Sequence, residues 1–285
     1  MLLDDQELHA SSVVANNAMN RERQLSGVNS YAKEIGFDPL SRLGGADSAW
    51  LDLCCGSGRA LRQAAERLTS VSSAGGRGSA GGRGSAGGRG SAGGRDSAGG
   101  RDSAGGRGSA GDRDSAGDKA GRLDSARGGG GPDGSGGWGA TLVGVDLVGG
   151  VDIPGVTFVE AAVETWVPER RFDLITCVHG LHYVGDKLGV LKRALSWLTP
   201  AGSFVADLDL ASVRLGGGGA RRLARLLRDA GVDYDARRRR VTCTGPRDLK
   251  LPYRYLGADD KAGPNYTGQP AVDSYYENGL TLPII

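Results

Sequence analysis

The sequence predicts an α/β domain built on a mostly parallel, doubly wound sheet with helices on both faces. Three observations predict it. Short apolar runs alternate with stretches of helical period, the first run closes on a Gly-rich turn that opens a helix, and the one segment that breaks this rhythm can be cut out without disturbing it.

Ala49–Cys54 (AWLDLC) is apolar and ends at glycines, as a buried parallel strand does. Arg59–Leu68 then sets Leu61, Ala64, Ala65 and Leu68 on one helical face. Thr141–Val145 and Val156–Val159 read as the second and third strands, and Phe172–Val178 as the fourth. Asp186–Leu198 follows as a helix that turns Leu188, Leu191, Leu195 and Leu198 inward and stops at Pro200. Ser203–Leu208 is the fifth strand, and Gly219–Ala230 a helix with Leu223, Leu226, Leu227 and Ala230 on its buried side. Three parts result: an N-terminal helical segment over 1–48, a core over 49–72 and 138–285, and an insertion over 73–137.

The insertion begins with seven hexapeptides of the SAGGRG type, which end at Asp114. It holds 26 of the 51 glycines and one large aliphatic residue, Leu123. Such a segment cannot bury enough surface to offset its chain entropy, so disorder is expected. Its ten basic and seven acidic residues allow an Arg-Gly contact with RNA, yet no aromatic residue is interleaved for base stacking. A tolerated repeat expansion in a surface loop is the simpler reading.

Over all 285 residues, 35 Lys and Arg stand against 33 Asp and Glu, a net charge of +2 that gives no general drive toward nucleic acid or acidic membranes. No 18-residue apolar run is present, and the acidic start Met1–Glu7 is unlike a secretory signal. Cys54, Cys55, Cys177 and Cys243 match neither a zinc spacing nor a disulfide framework, so a reducing cytoplasm is expected.

In parallel sheets, ligands bind outside the C-terminal strand ends. The first strand ends in Asp52-Leu53-Cys54-Cys55-Gly56-Ser57-Gly58, whose glycines let a ligand approach the backbone at a helix N-terminus. The second ends in Asp146, placed to take a ribose diol and 29 residues beyond Asp52 once the insertion is subtracted. A dinucleotide fingerprint wants a third glycine where Leu61 stands, and no Gly-Lys-Ser/Thr follows, so a nicotinamide oxidoreductase and a P-loop are both disfavoured. After the fourth strand, His179-Gly180-Leu181-His182-Tyr183 gathers two of the three histidines, candidates for a proton-accepting role near neutral pH. A metal is not expected there, because the sequence shows no carboxylate or thiolate partner for the pair.

The LDLCCGSGRAL segment resembles motif I of the class I S-adenosylmethionine-dependent methyltransferases. GVD at Gly144–Asp146, FVEAAVE before FDLI, and LTPAGSFVADL at Leu198–Leu208 are similar to that family's later motifs, in order. Two positions depart: Cys54 replaces the usual first glycine, and Ala162 replaces an adenine-binding Asp. The resemblance implies a Rossmann-like seven-stranded sheet with an antiparallel C-terminal hairpin, and S-adenosylmethionine as cofactor. It implies that Asp52, Cys54, Gly56 and Gly58 cradle the methionine end, Asp146 the ribose, and Ala162 and Val163 the adenine. His179 would flank the methyl group, and His179, His182 and Tyr183 are the catalytic candidates. The loop lacks the Asn/Asp-Pro-Pro-aromatic motif of base-amine methyltransferases, so a small organic acceptor is expected and a nucleic acid is not. The resemblance implies that the N-terminal helical segment 1–48 is a lid, and Tyr31 of that lid and the Tyr253 and Tyr255 pair are expected at the acceptor. Each has a structural alternative, as a helix anchor and as hairpin β-formers. A binding module that docks RNA or a protein partner through the insertion is the other functional class.

Overall fold

The computed structural model describes residues 2–15, 23–45, 47–75, 139–149, 152–216 and 219–279. Residues Met1–Arg77 and Gly137–Ile285 make one compact unit. Three short helices lead the chain: α1 (Asp5–His9), α2 (Ser12–Ala15) and α3 (Tyr31–Ile35). Strand β1 (Ala49–Leu53) passes through the Gly-rich turn into α4 (Arg59–Gly75), which runs beyond its expected end at Leu68 into the first hexapeptide. The rest of the repeat tract lies outside the described residues.

Strands β2 (Thr141–Asp146), β3 (Val156–Glu160), β4 (Phe172–Cys177) and β5 (Leu198–Asp207) follow, with α5 (Lys187–Ser196) between the last two. After β5 come β6 (Val213–Leu215), α6 (Ala220–Asp229), β7 (Asp233–Asp235), β8 (Arg240–Thr244), β9 (Tyr253–Asp259) and β10 (Asp273–Asn278). The main sheet has seven strands in the order β3-β2-β1-β4-β5-β8-β7. The first five are mutually parallel, and β8 runs antiparallel to both β5 and β7.

All five residues of β1 are buried because both faces of the strand are covered. Ala49, Leu51 and Leu53 join one core with Leu188, Leu191 and Leu195 of α5 and Leu223 and Leu227 of α6. Trp50 belongs to the opposite core, with Leu61, Ala64 and Ala65 of α4 and Tyr31 and Ile35 of α3. The strand alternation thus sorts helices to the two faces, as the doubly wound expectation requires.

Two details differ from the sequence reading. Pro200 lies within β5 rather than ending α5, which closes at Trp197, where the backbone amide donates to Ala194. The register of β5 against β4 slips between Phe172 and Leu174, and the extra β5 residues between Leu198 and Ser203, Pro200 among them, absorb the slip. The reversal at the edge of the main sheet is made by β7 and β8. The tyrosine-bearing hairpin of β9 and β10 forms a separate three-stranded sheet in the order β6-β10-β9. Lys187 ties this sheet to α5: its Nζ donates to Val184 O, Val272 O and Ser274 Oγ at 2.7–2.9 Å. Fully buried, that ammonium has its pKa pushed down to about 7 by desolvation.

Candidate active site

The loops after β1, β2, β3, β4 and β5 all open at the same end of the sheet, because those strands are parallel. The β1 loop is held in left-handed backbone at Cys54 (φ 56°), Gly56 (φ 61°) and Gly58 (φ 68°). At the last two positions glycine adopts this without cost. Cys54 carries a side chain through the same region, a strain of the kind that collects at functional sites. Beside it, Asp146 Oδ2 accepts from Gly56 N at 2.9 Å, and Oδ1 from Val148 N at 3.3 Å. The acid at the end of β2 therefore sits on the glycine turn, 90 residues away in sequence.

Asp52 lies behind that turn. It is wholly buried and accepts from Thr176 Oγ1 and Tyr31 Oη, each at 2.6 Å. Burial lifts its pKa to about 7 against the pull of those two hydrogen bonds. Tyr31 is thus an anchor of α3 to β1, its ring also meeting Trp50 edge-on at 5.9 Å. Ala162 is half-buried and its carbonyl accepts from Thr165 N and Trp166 N, while buried Val163 offers its carbonyl to Arg193. The neighbouring Glu164 accepts from Gly185 N at 3.3 Å, and His9 Nε2 of α1 stands 3.5 Å from it.

The β4 loop holds the histidines. His179 adopts φ 58° and begins a single 3-10 turn, Gly180–His182. Gly180 is required there: a Cβ would lie 2.4 Å from Cys54 Cβ and 2.8 Å from Cys177 Sγ. Packing of the β4 loop against the β1 loop therefore depends on a missing side chain. His179 Nδ1 is 3.5 Å from His182 Nε2, and the His182 ring meets Tyr266 edge-on at 5.5 Å. Burial, with the charges of His179 and Lys187 nearby, drives His182 down to about 3. Tyr183 closes the turn, buried, its hydroxyl pKa raised by desolvation.

The expectation that no carboxylate accompanies the histidines is corrected. Glu34 of α3 and Asp207 at the end of β5 both reach His179, their oxygens 3.8 and 3.9 Å from Nε2. The sequence could not bring them together, since Glu34 enters from the N-terminal segment. Asp207, however, occupies the same strand-end position as Asp146, and that rule alone could have marked it. One ligand-type atom from each of the three residues falls within 4.8 Å of the others. Arg240 already serves both acids, its Nη2 donating to Glu34 Oε1 and Asp207 Oδ1 at 3.1 Å. Arg23 Nη1 stands 3.8 Å from Glu34 Oε2. Two carboxylates against two guanidiniums balance in charge, so the cluster is an ion-pair network around an imidazole. His179, with Arg240 and Arg23, holds Glu34 down to about 2 against the opposing effect of burial. Arg240 closes the basic run Arg237–Arg240, yet it is buried at the start of β8.

Tyr255 Oη stands against Gly185, two residues past Tyr183, where an added Cβ would lie 2.5 Å from it. Together with Asp186, Leu188 and Tyr276, Tyr253 and Tyr255 line a cavity of about 270 Å³ against α5. The tyrosine that does reach the histidines is Tyr266, in the turn between β9 and β10, with Arg239 stacked 4.1 Å above its ring.

The profile of a methyltransferase domain matches residues 28–250, which include every strand of the main sheet. The chain belongs to the methyltransferase domain family. Within the family fold, the β1 turn, Asp146 and the β4 loop fall at the ligand end of the parallel strands. Among solved structures, a phosphoethanolamine N-methyltransferase of Haemonchus contortus, bound to phosphomonomethylethanolamine and S-adenosylhomocysteine, is 12% identical with a TM-score of 0.34. That match covers 72% of this chain and 35% of the other, so this methyltransferase domain spans about a third of that enzyme. The N-methyltransferase NodS of Bradyrhizobium japonicum, bound to S-adenosylhomocysteine, is 14% identical over 37% of this chain and 67% of its own, with a TM-score of 0.25. An S-adenosylmethionine-dependent methyltransferase assignment from Listeria monocytogenes is 12% identical over 46% and 76%, with a TM-score of 0.24. No curated protein matches the chain. Among the described residues, no helix is long and apolar enough to cross a membrane.

Proposed function

We propose that the protein transfers the methyl group of S-adenosylmethionine to an oxygen, nitrogen or activated carbon of a small organic acceptor. The observation that carries this reading is the contact of Asp146 with Gly56 N in a family member of this topology. That contact puts a carboxylate beside a turn of left-handed glycines, which supports a ligand made of a nucleoside joined to an amino acid. Asp146 would take the ribose hydroxyls, and the backbone of 54–58 the methionine end. Asp52, with both oxygens engaged, stiffens the turn from behind. Ala162 and Val163 would edge the adenine, with Glu164 nearby. When bound, S-adenosylmethionine supplies an activated methyl group, so the protein's work is alignment and exclusion of water.

His179 is our candidate to hold an acceptor proton, because two carboxylates face its Nε2. His182, driven toward its neutral form, is suited to orient His179 rather than to compete for that proton. A base contributes only where the acceptor must lose a proton in the transfer, as a phenol or an acidic C–H does. Titration calorimetry with S-adenosylhomocysteine tests the cofactor assignment, with NADH as control. Asp146→Ala should weaken binding by about 1–3 kcal/mol through lost charged hydrogen bonds. Unchanged affinity would remove the ribose role, and silence toward both nucleotides would remove the function.

A further inference from the structure

An open cleft of about 490 Å³ lies between α5, the start of β4 and the loop after β8. Its lining includes Arg171, Lys192, Arg193 and Arg247, with Asp248 as the one acid. Asp248 is itself engaged by Lys250 Nζ at 3.4 Å. Four cations therefore share a small space in a chain whose net charge is only +2.

Among the described residues, none of the four has a carboxylate partner. Three are instead fixed by carbonyl groups: Arg171 Nη1 donates to Leu198 O, Arg193 Nη2 to Val163 O, and Arg247 Nη1 to Pro246 O. Arg247 N also donates to Leu195 O, which fastens its loop to α5. Arg193 Nε is buried without a hydrogen-bond partner. Carbonyl tethers orient guanidinium forks without neutralising them, so the cleft keeps its positive field and several N–H donors. Crowded like charges in a surface concavity raise the local concentration of a counter-ion of opposite sign.

The location sets this cleft apart from the site described above. Arg171 directly precedes β4 and His179 follows it closely, so the strand lies between them, a rise of roughly 20 Å. Arg247 follows the antiparallel β8, at the same N-terminal end of the parallel strands. The volume is in the range that holds a small molecule.

We propose that this cleft binds a soluble, phosphate-bearing small molecule carrying at least two negative charges, separately from the candidate cofactor site. Inorganic pyrophosphate is the probe, titrated calorimetrically into the full-length protein at ionic strength matched with sodium chloride. Saturable binding is expected, weakened at least tenfold by the double substitution Arg193→Gln and Arg247→Gln. Lys192→Gln, at an exposed position, should weaken it about threefold without risk to folding. S-adenosylhomocysteine affinity should stay within twofold in Lys192→Gln, which leaves the Arg193 tether to Val163 intact, and this separates the site from the cofactor reading. Absence of saturable binding at matched ionic strength would overturn the proposal, as would equal pyrophosphate affinity in wild type and variants.

Discussion

At the scale of single residues, the proposed proton acceptor His179 is faced by two acids, Glu34 and Asp207. If Glu34 orients the imidazole, Glu34→Gln should lower kcat by about tenfold to a hundredfold while S-adenosylhomocysteine affinity stays unchanged. An equal loss in cofactor affinity would make Glu34 a brace of the fold. His182 offers a stability test with a definite sign. Its folded pKa of about 3 lies below the unfolded value near 6.5, so between those limits the unfolded chain binds the extra proton. Its neutral burial therefore costs nothing above about pH 6.5 and destabilises progressively as pH falls toward 3. Asp52 has the opposite sense: with its pKa raised to about 7, ionisation opposes folding as pH climbs from about 4 to 7. Urea midpoints of wild type and His182→Gln at pH 7 and pH 4.5 should show a smaller acid loss in the variant. Equal losses would place the acid sensitivity elsewhere. These residues were unequally legible. His179 and His182 stood out by spacing in the sequence, and Asp146 by its strand end. Glu34 and Arg240 did not, because their meeting depends on folding across 206 residues.

At the scale of elements, strands were read more accurately than their surroundings. Periodicity and flanking glycines located β1 to β5, because a strand covered on both faces is dominated by apolar residues. The split of the antiparallel strands into two sheets was not legible, since β-propensity does not say which edge a hairpin joins. Tyr253 and Tyr255, marked in the sequence by composition, are placed by topology against α5. Helix α5 is the element on which both sheets depend: Leu188, Leu191 and Leu195 enter the main core and Lys187 grips β10. Leu191→Ala should cost about 2–5 kcal/mol, because a fully buried leucine leaves a cavity behind. A loss below 1 kcal/mol in urea denaturation would mean that α5 repacks freely.

For the whole molecule, the sequence predicts one domain interrupted by an insertion, and Met1–Arg77 with Gly137–Ile285 make one compact unit. Replacing residues 78–136 with a short Gly-Ser linker should leave methyl transfer and thermal stability close to wild type. A loss of transfer would give the repeats a part in the enzyme, while a loss of RNA binding alone would favour the docking-module alternative. The placing of this segment bears on synthesis as well. Strand β1 is buried along its whole length and apolar at every position but Asp52, and its two sheet neighbours, β2 and β4, are both encoded after the repeats. At 5–20 residues per second, the 90 residues from Gly56 to Asp146 take a ribosome about 5–20 s. For that interval the emerging chain presents an unpaired hydrophobic strand. Nascent chains of this protein should therefore engage chaperones earlier and longer than a version without the repeats.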